Sequence, residues 1–174
     1  LKFIINQNVK SILEIGTANG GTLFLFSKIL KNNSTIISID LPGGEYGGGY
    51  PFYKVPLYKS FINDNQRLFL IRANSQNINT LKRVKKYLNG EKIDLLFIDA
   101  DHSYNGVKND FEIYRNLVKD GGIIAFHDIV KHKDRINSEV DIFWNEIKKQ
   151  YEHIEFVRNW DQGWGGIGVL INNK

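Results

Sequence analysis

The 174 residues include 23 lysines and arginines against 19 aspartates and glutamates, a formal net charge of +4, with 42% hydrophobic and 24% charged residues. This is the balance of one soluble domain with a single core, and no apolar run approaches the roughly 18 residues of a membrane helix. Cysteine is absent, which excludes disulfides and thiolate metal sites and suits a cytoplasmic location.

The chain begins at Leu1 without a methionine and shows no secretory leader, as expected of a cytoplasmic protein trimmed at its N-terminus. In chain order, strands are expected at Ser11–Ile15, Thr35–Asp40, Leu68–Ile71, Asp94–Asp99 and Gly122–Phe126. Helical patterns fall between them at Gly21–Lys31, Gln76–Leu88 and Tyr104–Val118, the last with Val107, Phe111, Tyr114 and Val118 on one face. "IDLLFIDAD" and "GGIIAFHD" are nearly continuous apolar runs, as central strands covered on both faces require. The basic run "LKRVKKYLNGEK" repeats Leu81, Val84 and Leu88 at helical spacing. Its lysines therefore read as the wet face of an amphipathic helix, not a nucleic-acid patch, since no aromatic residues are interleaved for base stacking.

The insertion "LPGGEYGGGYPFYKVP" is long, and rich in glycine and aromatic residues. It reads either as a mobile loop near a binding site or as a plain surface loop. In "SEVDIFWNEIKKQ", Ser138 and Asp141 form a capping-box pattern ahead of the stripe Val140, Phe143 and Ile147. "HIEFVRN" and "GWGGIGVLIN" follow without a helix between them, and predict an antiparallel hairpin at one sheet edge. Alternating strands and helices before that hairpin predict an α/β domain with a mostly parallel sheet and right-handed crossovers.

Ligands of open α/β sheets bind beyond the carboxyl ends of the strands. Every predicted strand here ends in polar or ionisable residues: "EIGTANGG", Asp40, "RANSQN", "DADH" and "HD". The glycine turn after the first strand allows close approach of a ligand, and the following helix offers free N–H groups. A dinucleotide fingerprint would place glycine where Ala18 stands between Gly16 and Gly21, and Glu14 would repel a pyrophosphate. An adenosine without phosphates, its ribose hydroxyls on Asp40, fits better.

"LEIGTANGG", the acidic end of "IISID" and "IDLLFIDADHSYNGVKNDFEIYRNLVKDGGIIAFHDI" resemble class I S-adenosylmethionine-dependent methyltransferases. The closer resemblance is to the small-molecule O-methyltransferases, including the cephalosporin-hydroxylase-like group, and it runs from Ser11 to Ile171. It implies a single Rossmann-like, doubly wound, S-adenosylmethionine-binding domain over residues 1–174, with a seven-stranded sheet. Carried over by position, Glu14, Gly16, Ala18 and Gly20 line the amino-acid end of the cofactor. Asp40 holds the ribose, Asn74 and Ser75 lie beside the adenine, and Asp99 borders the cofactor. A divalent metal is implied on Asp99, His127 and Asp128. Two carboxylates suit magnesium, while the imidazole favours manganese, iron or zinc. His127 is alternatively a substrate-binding residue or a base.

The implied reaction is in-line attack of a small-molecule hydroxyl on the sulfonium methyl, as in methylation of a sugar or secondary metabolite. His102, three residues after Asp99, stands where catechol-type enzymes place a lysine base, and an imidazole is the side chain that titrates nearest neutral pH. His102 as a helix cap is the rival assignment. Asp101 is expected to face away or to cap the helix. His132 and His153 are expected at the surface without partners, and Trp160 and Trp164 in hairpin packing, with a substrate platform as the rival assignment. "DADH" replaces the Asn/Asp-Pro-Pro-aromatic motif of base-amine methyltransferases. The expected partner is a small hydroxyl acceptor, with neither nucleic acid nor membrane, and a homo-oligomer is compatible. Two other readings stay open: a non-catalytic binder of S-adenosylmethionine or S-adenosylhomocysteine, and an NAD-linked oxidoreductase.

Overall fold

The computed structural model describes residues 2–44, 48–133 and 138–173. A short helix, α1 (Lys2–Asn6), precedes β1 (Ser11–Ile15), α2 (Gly21–Ile29) and β2 (Thr35–Asp40). Then come α3 (Val55–Lys59), β3 (Arg67–Arg72), α4 (Ile78–Leu88), β4 (Ile93–Ile98), α5 (Tyr104–Tyr114) and β5 (Val118–His127). The chain ends with α6 (Val140–Ile147), β6 (Glu152–Phe156) and β7 (Ile167–Asn172). The seven strands form one sheet in the order β3-β2-β1-β4-β5-β7-β6. The first five are parallel, and β7 runs antiparallel to both β5 and β6. The expected edge hairpin is present, with β7 tucked inside it against β5. No helix of the described residues is long and apolar enough to cross a membrane.

Alternation along the central strands divides the core in two. Leu13, Ile15, Ile37, Ile39, Leu96, Ile98 and Phe126 face α4, α5 and α6, meeting Val84, Phe111, Phe143 and Trp144. Ile12, Ile36, Leu95 and Phe97 face the other way, against Leu23 and Phe26 of α2. Burial on both faces explains the unbroken apolar runs of β4 and β5. On α4, Thr80, Val84 and Leu88 are buried while Lys82, Lys85 and Lys86 are exposed, so the basic run is the wet face of an amphipathic helix.

Several boundaries differ from the sequence expectation for local reasons. Helix α4 starts at Ile78 because the Asn77 side chain caps it, accepting from Asn79 N at 2.8 Å. Helix α5 stops at Tyr114, tightens into a 3-10 turn over Arg115–Leu117, and Val118 already belongs to β5. The pairing of β4 with β5 jumps from Ile93–Val118 to Leu95–Ile123, so "KDGG" is a bulge inside a longer strand. The capping box at α6 does not form: Glu139 is the cap residue, the Ser138 hydroxyl reaches Val140 N at 3.4 Å, and Asp141 is buried.

The aromatic insertion is not a free loop over its described part. A 3-10 turn (Phe52–Lys54) leads into α3, which has a proline in its first turn. Tyr50 and Tyr58 are buried edge to face at 4.8 Å, packed in the α2-side core. Its glycine-rich middle, residues 45–47, lies outside the described residues.

Candidate active site

A cavity of about 360 Å3 opens at the carboxyl ends of β1 to β4, where the order of the sheet reverses. Gly16 and Ala18 from the first turn line it, together with Asp40, Asn74, Ser75 and Asp99. The structure thus brings together six of the residues expected at the cofactor. Leu41, Gly43 and Gly44 of the insertion form part of the same wall.

The turn is built by hydrogen bonds that only this backbone path allows. Gly16 has φ +98° and its N–H donates to Ile39 O at 2.8 Å, while Asp99 N donates to Ile15 O at 2.8 Å. Ala18, also left-handed at φ +42°, donates its N–H to Asp40 Oδ2 at 2.7 Å. That bond ties the turn to β2. Burial raises the Asp40 pKa, against the lowering effect of the Ala18 and other backbone N–H groups.

Glu14 and Gly20, expected at the cofactor, are not among the residues that line the cavity. Glu14 pairs in register with Ser38, on the sheet face covered by α2, and is fully buried beneath the turn. Ser38 Oγ donates to Glu14 Oε2 at 2.7 Å, Thr17 and Ser38 share a hydroxyl–hydroxyl bond, and Glu14 Oε1 has no partner. Gly20 is where the Tyr58 ring passes: a Cβ there would stand 2.8 Å from it, and Tyr58 Oη donates to Ala18 O at 2.9 Å. Glycine at this position leaves room for the Tyr58 ring.

Burial pushes the Glu14 carboxyl up to about 8, the Ser38 bond opposing and Asp99 and Asp40 adding. A folded pKa above the unfolded one means stability fully present below the unfolded value near 4.5 and lost as pH rises through 8. Glu14→Gln is therefore expected to flatten this fall. Its urea midpoint should match the parent near pH 5 and exceed it near pH 8.5; a parent with equal or higher stability at the alkaline end removes the effect.

At the β3 end of the cavity, Asn74 Oδ1 accepts from Gln76 N at 2.8 Å. Ser75 Oγ donates to Asp110 Oδ1 at 2.7 Å, and its carbonyl accepts from Tyr114 Oη at 2.6 Å. Asp110 is buried on the apolar face of α5, with burial pushing it up to about 7 against the Ser75 bond. A carboxylate between Val107 and Tyr114 was the sequence signal for it. Asp101 also lines the cavity and braces the start of α5, accepting from Ser103 N and Oγ at 3.0 and 2.7 Å. Ser103, not His102, caps that helix, its Oγ accepting from Gly106 N.

Beside Asp99 lies a histidine–carboxylate cluster. His102 Nδ1 is 3.2 Å from Asp128 Oδ2, and its Nε2 is 3.5 Å from Asp99 Oδ1. His127 Nδ1 stands 3.2 Å from Asp99 Oδ1 and 3.2 Å from Asp128 Oδ1, at angles outside hydrogen-bond geometry. The contact is electrostatic. Burial lowers the His127 pKa, but the two carboxylates outweigh it and push it up to about 10. In turn, burial raises Asp128, while His127, His102 and His132 bring it down to about 2. Asp128 has φ +63°, and its Oδ1 accepts from Gly165 N at 2.9 Å. One ligand atom each from Asp99, His102 and Asp128 lie within 4.8 Å of one another, so the convergent set carries His102 where the sequence placed His127.

His132 and both tryptophans depart from expectation. His132 is mostly buried, its Nε2 3.4 Å from Asp128 Oδ1. His153 is exposed as expected, although its ring meets Trp144 edge-on at 6.0 Å. Trp160 and Trp164 are 51% and 64% exposed, so they do not pack the hairpin.

A family model described as a methyltransferase domain matches residues 13–129, which hold the glycine turn, Asp40, Asp99 and Asp128. The chain belongs to this methyltransferase domain family. An uncharacterised protein of Acanthamoeba polyphaga mimivirus is 36% identical over 118 residues, 67% of this chain and 50% of the relative. Tapetum-specific methyltransferase 1 of Arabidopsis thaliana is 30% identical over 137 residues, 78% of this chain and 53% of the relative. The chain thus spans about half the length of these curated relatives. Among solved methyltransferases, the O-methyltransferase from Bacillus cereus in complex with SAH superposes with a TM-score of 0.67 at 18% identity. That match covers 98% of this chain and 77% of the other and shows that the methyltransferase fold is shared.

Proposed function

We propose that this chain is a single S-adenosylmethionine-binding domain that transfers the cofactor's methyl group to a hydroxyl of a small molecule. The observation that carries this is the meeting of a cavity lined by Asp40, Asn74 and Ser75, with no lysine or arginine among the described residues of its wall, and the histidine–carboxylate cluster at Asp99, which borders both. The Bacillus cereus neighbour, an O-methyltransferase holding SAH, and the Arabidopsis methyltransferase support the same reading.

In this reading the Asp40 carboxylate accepts from the ribose hydroxyls. The Ser75 hydroxyl, its proton given to Asp110, offers a lone pair to the adenine amine, and the Asn74 amide donates to a ring nitrogen. Gly16 and Ala18 admit the amino-acid end, and Glu14 acts from beneath through Ser38 and Thr17. The acceptor oxygen attacks the methyl carbon as the carbon–sulfur bond breaks, giving a methyl ether and S-adenosylhomocysteine. Asp128 holds His102 by Nδ1, so Nε2 is the nitrogen that takes the hydroxyl proton. Two carboxylates and an imidazole also fit a divalent cation on Asp99, His102 and Asp128, manganese, iron or zinc better than magnesium. Such an ion, when bound, supplies a Lewis acid that makes the acceptor hydroxyl more acidic.

Calorimetry tests the cofactor assignment. S-adenosylhomocysteine is expected to bind and NAD not; NAD binding without a response to S-adenosylhomocysteine overturns it. Asp40→Ala removes a charge-assisted acceptor for the ribose, a contact of about 1.5–3 kcal/mol. Affinity for S-adenosylhomocysteine should fall roughly tenfold or more, and unchanged affinity removes Asp40 from the site.

A further inference from the structure

A second cavity of about 360 Å3 is lined by Lys131, His132, Lys133, Trp160, Asp161 and Gly163. The cluster already described lies between it and the first. Asp99 borders the cofactor cavity and lies 3.2 Å from His127; His127 lies 3.2 Å from Asp128; and Asp128 lies 3.4 Å from His132, a wall of the second cavity.

Its walls come from two loops that are bonded together. Val130 N donates to Gly165 O at 3.0 Å, Lys133 N to Gly163 O at 3.2 Å, and Gly165 N to Asp128 Oδ1 at 2.9 Å. Gly163 has φ +81°, and a Cβ there would come within 2.5 Å of the Lys133 side chain, so the backbone lies directly on the lysine stem. The lining offers two ammonium groups against one carboxylate, Asp161, and Trp160 leaves half its surface to water. A half-exposed indole beside lysines is a surface for a flat ring that carries an anion.

We propose that this cavity seats the methyl acceptor, and that the acceptor is a hydroxylated ring bearing a carboxylate. The ring lies on Trp160, the carboxylate meets Lys131 and Lys133, and the hydroxyl turns past His132 to the His102–Asp128 pair. This rests on the hydroxyl-methylation reading above and adds the acceptor's charge and shape to it.

The test is a calorimetric titration of the protein saturated with S-adenosylhomocysteine, using two matched pairs: protocatechuate against catechol, and glucuronate against glucose. The first pair probes an aromatic ring and the second a sugar ring. At least one acid should bind roughly tenfold or more tightly than its neutral partner, the ratio one charge-assisted contact supplies. The double variant Lys131→Gln/Lys133→Gln should lose that preference and keep its affinity for S-adenosylhomocysteine. No preference in either pair, or a preference that survives in the double variant, overturns the acceptor assignment alone. Failure of S-adenosylhomocysteine to bind the parent protein, measured first, overturns the methylation reading and this one together.

Discussion

Gly16→Ala is expected to lower the free energy of unfolding by about 3 kcal/mol or more and to abolish measurable binding of S-adenosylhomocysteine. Two costs add. An alanine at φ +98° sits where side chains are rarely tolerated, a strain of about 1–3 kcal/mol. Its Cβ would also stand 1.9 Å from the Asp99 carbonyl oxygen and 2.5 Å from the Asp99 carbonyl carbon. Both are backbone atoms of the chain leaving β4, so nothing flexible can swing aside, and forced overpacking of this kind costs about 1–3 kcal/mol. Relief requires β1 and β4 to part at their carboxyl ends, which breaks the Asp99 N to Ile15 O bond and moves Asp99 itself. Gly21→Ala is the control: a Cβ there meets nothing within 4 Å, and alanine favours the helix it begins. Urea midpoints for both variants, with calorimetry, decide it. A Gly16→Ala protein as stable as Gly21→Ala, still binding the ligand, would show that the close approach of the two strands does not hold the site.

How much of this site the sequence announced depends on the distance over which its parts act. The glycine turn, Asp40 and the polar end of β4 were legible because strand ends and turns are local patterns, and the topology then forces them to one edge. Glu14 lies outside the cavity lining for a reason equally physical. In a strand, successive side chains alternate faces, so the residue just before the turn points beneath it, and the sequence alone did not say which face held the ligand. The buried tyrosines of the insertion were hidden because glycine and proline around them read as loop, while packing of Tyr50 and Tyr58 against α2 is a tertiary event. His132 carried no sequence signal at all. It stands only four residues after Asp128, but both lie in the loop after β5, where no helical or strand period announces the contact. The two exposed tryptophans were assigned to packing on composition, and the twist that turns them outward belongs to left-handed Gly163, Gly165 and Gly166.

His102→Ala should leave the affinity for S-adenosylhomocysteine unchanged and cut methyl transfer to the acceptor by roughly a hundredfold or more, the usual contribution of a positioned proton acceptor. The geometry assigns the two nitrogens different tasks. Nδ1 faces Asp128 at 3.2 Å, and Asp128 is itself anchored by the N–H of Gly165, so the ring is oriented from behind. Nε2 is left on the Asp99 side, where the cofactor cavity begins. A base that acts by taking a proton can be replaced from solution, whereas a residue that merely holds the loop cannot. Imidazole added to the His102→Ala protein should therefore restore part of the lost rate, and manganese should not. Turnover that survives the substitution would take His102 out of the reaction. A loss that manganese reverses and imidazole does not would move it from proton acceptor to metal ligand, on the same three residues that converge at Asp99.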